Sequence, residues 1–431
     1  MRRAVIAFTA FLGGLIILLS AGAANAWAEG EGLRGTLTFQ GQPVNGVKIT
    51  VTTESGAPVG EATSDAKGAW EVPVPATGKY TVKLDASTLP PNAAVRGGNL
   101  TRTPSVFEGN VSTVLFALVA ADGAAQPGEE PEASAESRWW TRVAQLTFEG
   151  FNLGLIIALA AMGLSLIFGT TGLTNFAHGE LVTLGAVFTF FFSSVVGLPV
   201  ILAGVVAVVM GGAFGYLQDR YFWGVLRGRG TGLIGMMIIS IGVALFLRYA
   251  ILFFFGPQSL PYNEYAGQPG IDVGPITAAP KNFIAMGIEL TVLIVAGLAL
   301  LKTRTGKAAR AVADNPALAA SSGINVDRVI RIIWTAGGAV AALAGVMLGL
   351  SQNVQYQMGQ DMLLLIFAGV TLGGLGTAFG ALVGALVVGL FIQLSTLWVP
   401  PELKSLGALA VLIIVLLLRP QGILGRRERI G

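Results

Sequence analysis

Nine apolar stretches, each near twenty residues long, occupy most of the chain between residues 146 and 418. About 20 apolar residues in a helix cover the hydrocarbon of a bilayer. The stretches are 146–168, 179–197, 199–217, 232–255, 283–301, 332–351, 361–376, 378–398 and 402–418. Residues 362–399 carry no charge and are too many for one crossing, so the run is cut near 373–377. Its first half is short, which leaves room for a re-entrant or broken helix. Charged residues make up 12% of the chain, against about 25% in a soluble domain. Lipid is therefore the solvent this sequence is written for.

The remaining composition removes whole classes of chemistry. Cysteine is absent and histidine occurs once, which excludes disulfides, thiolate nucleophiles and thiolate or multi-histidine metal sites. A net charge of +3 is too small to point to nucleic acid. No phosphate-cradling G-x-x-x-x-G-K-S/T loop is present, so the chain itself is not expected to bind ATP. No cofactor or metal is expected.

The first 140 residues differ from the rest. Arg2 and Arg3, an apolar run over 4–19 and the ending Ala24-Asn25-Ala26 form a secretory signal over 1–26. An uncleaved anchor helix is the competing reading, and both deliver the succeeding residues to the outside. Residues 27–119 read as short strands with period-two alternation, such as Val47-Lys48-Ile49-Thr50-Val51 and Lys79-Tyr80-Thr81-Val82-Lys83-Leu84, separated by turn residues. A β-sandwich of extracytoplasmic placement is predicted. The Ser64-Asp65-Ala66-Lys67-Gly68 turn and the Gly78-Lys79-Tyr80 entry resemble transthyretin-like, carboxypeptidase-regulatory-type modules, which implies a docking or stabilising appendage. Residues 120–140 contain four glutamates among Ala, Pro and Gly and are expected to be a flexible acidic linker ending in the interfacial pair Trp139-Trp140. The membrane part is 141–431.

Orientation rests on two independent signals. A secreted amino-terminal domain and nine crossings leave the carboxyl terminus in the cytoplasm. The loops then assigned to the cytoplasm carry Arg220, Arg227 and Arg229, then Lys302, Arg304, Lys307, Arg310, Arg328 and Arg331, then Arg419, Arg426, Arg427 and Arg429. That distribution obeys the positive-inside rule. Glycines at four-residue spacing, Gly376-Gly380-Gly384 and Gly337-Ala341-Gly345-Gly349, form stripes that let helix backbones approach closely.

Two segments carry function. Residues 302–325 read as a short amphipathic helix, a break at Asn315-Pro316, an Ala-rich second helix and a stop at Gly323. A basic helix pair with small residues on one side can seat in a groove of a soluble partner. Candidate coupling residues are Gly306, Arg310, Ala313, Asp314, Asn315, Pro316, Ala320 and Gly323. The second segment is 169–180, where Gly169, Gly172 and Gly179 interrupt an apolar run. Unwound backbone at membrane depth survives only beside a cavity or packed protein. Thr174, Asn175, His178 and Glu180, with Asn152 of the first span, are candidates for the translocation path, since ionisable groups at such depth are functional by default. Helix capping is the competing role, with Glu180 favoured near a helix start by the macrodipole.

Residues 141–431 resemble permease subunits of branched-chain amino acid (LIV-type) ABC importers. The resemblance rests on Met162-Gly163-Leu164-Ser165-Leu166-Ile167-Phe168-Gly169, Gly172 to Glu180, Arg310 to Asn325, Gly373 to Gly384, and Leu418-Arg419-Pro420-Gln421-Gly422. It implies a polytopic α-helical fold similar to the vitamin B12-type importer permeases. It also implies a transport subunit and not an enzyme, working in the bacterial cytoplasmic membrane. The partners implied are two ATP-binding cassette subunits, a second homologous permease and an extracytoplasmic substrate-binding protein. Branched-chain or other small amino acids are the implied cargo. Urea and short amides are the alternative, and a proton-coupled carrier with His178 and Glu180 as relay is a third reading. The amino-terminal sandwich departs from the family pattern.

Overall fold

The computed structural model describes residues 31–120 with short gaps, 135–400 except 266, 267 and 269, and isolated positions beyond 400. The expected signal segment 1–26, most of the linker and most of the ninth apolar stretch, 402–418, lie outside the described residues. The chain divides into two compact units.

Among the described residues the first unit contains twelve strands between Gly32 and Ala120. β1 (Gly32–Thr36) sits between β6 (Ala69–Pro73), antiparallel, and β11 (Val111–Thr113), parallel. A five-stranded sheet runs β10 (Ser105–Val106), β7 (Gly78–Leu84), β4 (Lys48–Thr53) and β5 (Pro58–Thr63), with β9 (Thr101–Arg102) also beside β7. β2 (Thr38–Phe39) pairs β3 (Gln42–Pro43), and β8 (Ala93–Val95) pairs β12 (Leu118–Ala120). Alternation explains the packing: Ile49 and Val51 of β4, Val82 and Leu84 of β7 and Trp70 and Val72 of β6 all point into one core. In the turn after β5, Asp65 Oδ1 accepts from the amides of Lys67 and Ala69, both at 2.8 Å, the Asx geometry that turn residues favour.

The second unit is helical. Its elements are α1 (Ala135–Thr171), α2 (His178–Phe190), α3 (Val200–Gln218), the short α4 (Gly224–Gly228), α5 (Leu233–Phe255), α6 (Pro280–Lys302), α7 (Arg304–Asp314), α8 (Pro316–Ser321), α9 (Val326–Gln352), α10 (Met358–Gly373) and α11 (Ala378–Ser395). π-helical turns extend α2 through Phe191–Val195 and join α3 to α4 through Asp219–Trp223. Among the described residues seven helices are long and apolar enough to cross a bilayer. α1 starts earlier than its apolar stretch does. The helix-favouring Ala135-Glu136-Ser137-Arg138 carries it back into the segment expected to be linker.

α9 is the central helix of the bundle, and small residues put it there. A methyl on Gly345 would lie 1.8 Å from the Val182 carbonyl of α2, so only glycine permits that crossing. α9 also meets α1 at Gly163 and α3 at Gly211 and Gly215. α10 and α11 form a hairpin of the same kind, in which Gly373 abuts the Gly380 carbonyl. Their turn places Gly376 against Gly169 near the end of α1. Both glycine stripes read from the sequence are thus backbone-contact faces.

α10 is the half-helix that the short seventh apolar stretch anticipates. Its 16 residues span about 24 Å, less than the roughly 30 Å hydrocarbon core. Its first turn lies inside the bundle, with Gly359 pressed on Gly179 of α2.

Candidate translocation site

α1 ends where Gly172, at φ 69°, bends the backbone away and its amide closes on the Phe168 carbonyl at 2.7 Å. The chain then runs unwound through residues 173–177 and turns back along α1. His178 Nε2 donates to the Ala160 carbonyl at 2.9 Å, about 16 Å short of Thr171 along the helix. α2 therefore begins half-way up the bundle. The unwound segment is held by its neighbours: Ser240 Oγ of α5 accepts from the Phe176 amide at 3.0 Å, and Asn175 Oδ1 accepts from the Ala177 amide at 3.1 Å. Asn175 and His178 are fully buried. Asn175 Nδ2 and His178 Nδ1 find no hydrogen-bond partner among the described residues. Through Nε2 the imidazole ties the start of α2 to α1.

Glu180 sits in the first turn of α2, 1% exposed, and binds Arg248 of α5. Arg248 Nη2 and Nε reach the same oxygen, Oε1, at 2.7 and 3.1 Å. Thr183 stands 3.5 Å from Oε2, and its hydroxyl accepts the Gly359 amide of α10 at 3.1 Å. Asp361, in the first turn of α10 and two residues beyond Gly359, is exposed. Two helix starts, each with a carboxylate in its first turn, thus adjoin at this point, and Glu180 of the first holds Arg248. Phe176 and Phe367 pack beside them with ring centres 5.3 Å apart.

The structure brings Asn175, His178 and Glu180 together at this junction and leaves Thr174 half-buried in the unwound segment. Asn152 lies apart, two turns up α1 between Gly150 and Gly154, which pack on α11. Its Oδ1 is buried without a partner among the described residues. Sequence reasoning passed over Arg248 and Asp361. A lone arginine in an otherwise uncharged 23-residue helix was the signal that could have found the first. It also passed over Glu289, fully buried on α6 with neither carboxylate oxygen partnered among the described residues.

The second candidate region is the elbow of α7 and α8. Side chains cap both of its helices and the start of α9 that follows. Thr303 Oγ1 accepts from the Gly306 amide, Asn315 Oδ1 from Leu318 and Asn325 Oδ1 from Arg328, at 2.9–3.0 Å. Pro316 fills the first turn of α8, and Gly323 at φ 84° stops it. Gly306 packs on the Ala299 and Leu300 carbonyls of α6, while Ala309, Val312 and Ala319 face a buried layer containing Trp223 and Trp334, stacked at 5.7 Å. Arg310 donates to the Leu301 carbonyl at 3.3 Å. Ala313, Asp314, Asn315, Pro316, Ala320 and Gly323 are exposed, as is Leu318 at 64%. Under this layer Asp219, buried in its π turn, pairs with Arg227 at 2.5 Å and faces Arg331 Nε at 3.6 Å.

Apolar helices around a buried ion pair, with two helices starting inside the bundle, define a polytopic α-helical membrane protein of the transport class. Residues 146–416 match the model of the family described as "Branched-chain amino acid transport system / permease component", and the chain belongs to that family. The Escherichia coli K12 protein LivH, a high-affinity branched-chain amino acid transport system permease, is 33% identical over 303 residues, covering 66% of this chain and 96% of LivH. BraD of Pseudomonas aeruginosa, named in the same words, is 32% identical over 302 residues, with the same coverage. The solved structure of PsaBC from Streptococcus pneumoniae in complex with Fab aligns with 63% of this chain and 91% of its own at 14% identity and a TM-score of 0.39, too distant to bear on the argument. The chain is a multi-pass permease subunit of an ABC importer in the cytoplasmic membrane, and not an enzyme.

Proposed function

We propose that this permease moves branched-chain or other small amino acids inward, driven by two ATP-binding cassette subunits that clasp the α7–α8 elbow. A second homologous permease completes the pore, and an extracytoplasmic binding protein delivers cargo. The carrying observation is the elbow itself. Two side-chain caps and a buried seam hold two short helices at one angle, with Leu318 and a small-residue surface turned outward. A rigid, exposed, partly apolar helix pair is what a partner groove needs to transmit a push. The names borne by LivH and BraD support the amino acid cargo. A proton relay is less well supported, because His178 is engaged by Ala160 and Glu180 by Arg248.

In this reading the β-stranded unit is a sandwich outside the cell, residues 1–26 export it, and nine crossings leave the carboxyl terminus in the cytoplasm. The basic residues flanking the elbow support that orientation. Because the chain lacks cysteine, single substitutions report topology cleanly. Ser321→Cys should react with a membrane-impermeant maleimide only in inverted vesicles and should cross-link to an ATPase subunit. Asp272→Cys should react in intact cells. Labelling of Ser321→Cys from outside would end the proposal.

A further inference from the structure

The junction where α2 and α10 begin has an odd electrostatic construction. An arginine presents five N–H donors, and strong pairing with a carboxylate uses two of them on two oxygens, side by side. Arg248 instead spends both Nε and Nη2 on a single oxygen of Glu180. Nη1 makes no hydrogen bond among the described residues, and the side chain stays 12% exposed. The second Glu180 oxygen has only a long contact with Thr183. The pair is anchored yet leaves one edge of the guanidinium unspent.

That edge has a counterpart. Asp361 stands on the exposed side of α10, two residues beyond Gly359, whose amide binds Thr183 next to the Glu180–Arg248 pair, on a surface that also shows Gln357 and Gln360. A polar face on a helix of a membrane bundle marks a wet path. Leu364, 53% exposed, comes one turn later, and the Phe176–Phe367 pair closes that end. Positive, negative and apolar groups therefore occur together at this junction, Arg248 from α5 and Asp361 and Leu364 from α10.

The charge sum is also telling. Glu180, Arg248 and Asp361 give −1. Two helix starts contribute roughly +0.5 each, so the junction is close to neutral. A neutral site with separated charges suits a cargo that is itself neutral with separated charges. A net anion or cation would meet an uncompensated field there.

We propose that Arg248 and Asp361 form a way-station for an α-amino acid zwitterion, with Arg248 taking the carboxylate through its free edge and Asp361 taking the ammonium group. Leu364 and the phenylalanine pair receive an aliphatic side chain. Glu180 is a positioning residue: it holds the guanidinium and does not meet cargo. The inference rests on the amino acid reading above and assigns the specificity of the pore to two residues. It places a selective step inside the membrane in addition to any binding protein.

The test uses the complete transporter, with its ATPase subunits and binding protein, in proteoliposomes, measuring leucine taken up per ATP hydrolysed. Asp361→Asn is near-isosteric at an exposed position, so folding is retained. It should lower that ratio at least tenfold, whereas a general loss of structure lowers uptake and hydrolysis together. Arg248→Gln should do the same. Asp361→Glu and Arg248→Lys, which keep the charges, should recover part of the ratio. The double charge swap E180R/R248E rebuilds the ion pair with its poles reversed and should stay inactive. A ratio within twofold of wild type for Asp361→Asn, or recovery of wild-type uptake by the swap, would overturn the way-station. If Arg248→Gln fails to assemble, Asp361→Asn decides. A wild-type complex that carries urea and no amino acid would instead defeat the cargo reading, before any variant is compared.

Discussion

Gly179 and Gly359 meet backbone to backbone at the point where two helices start within the bundle. A methyl on Gly359 would stand 2.0 Å from the Gly179 carbonyl oxygen and 2.3 Å from Thr183 Oγ1. The nearest neighbour is main chain, which cannot move aside as a flexible side chain can. Gly359→Ala should therefore destabilise the protein by about 1–3 kcal/mol, read as a lower unfolding midpoint in detergent.

Removing one member of the Glu180–Arg248 pair leaves the other buried and uncompensated. Breaking such a pair costs about 3–5 kcal/mol, while replacing both partners with apolar groups is far milder. Glu180→Gln should thus lower the unfolding midpoint more than Glu180→Met combined with Arg248→Met. Midpoints that simply add would show that the two side chains are not coupled.

At the elbow, stability and coupling should separate. Asn315→Ala removes the cap of α8, a loss of about 1 kcal/mol that loosens the angle between α7 and α8. Leu318→Asp, at a 64% exposed position, should leave the midpoint unchanged and abolish co-purification of the ATPase subunits. Retained co-purification with Leu318→Asp would move the docking surface elsewhere.

Asp219 gathers Arg227 and Arg331 beneath the Trp223–Trp334 stack. Asp219→Ala removes the buried carboxylate that two partly exposed guanidinium groups share and leaves them facing each other. Water should then enter around the two indoles, both fully buried in the native protein. A red-shifted tryptophan emission is the expected result, and it should be absent in a Trp223→Phe, Trp334→Phe background.

Much of this architecture was legible because lipid imposes long apolar runs and close helix packing demands glycine. α3, α5 and α11 begin at or within a residue of where the apolar stretches do, and Gly345 and Gly380 lie where the stripes put them. The unwound segment before His178 was announced by Gly172. Less was legible where the cause is not local. Arg248 and Glu180 are 68 residues apart in sequence, and no periodicity records which helix faces another. The early start of α10 was hidden because the polar, exposed Gln360 and Asp361 interrupt the apolar pattern just after the buried Met358 and Gly359. β5 escaped notice for the opposite reason. None of its side chains is fully buried, so its sequence lacks the alternation that β4 and β7 display.

α9 has a consequence for how force could travel. Its 27 residues form a rod about 40 Å long, seated on three neighbours through backbone contacts that leave no slack for bending. One tip is capped by Asn325 next to the elbow, and the other ends by Gly349, against Tyr262. Such a rod tilts as a unit. A rotation of about 5° imposed at one tip sweeps the far tip through about 3.5 Å, by the same helix geometry. On the proposed function, a small nudge delivered at the elbow would thus reach the far end of the bundle as a displacement of that size.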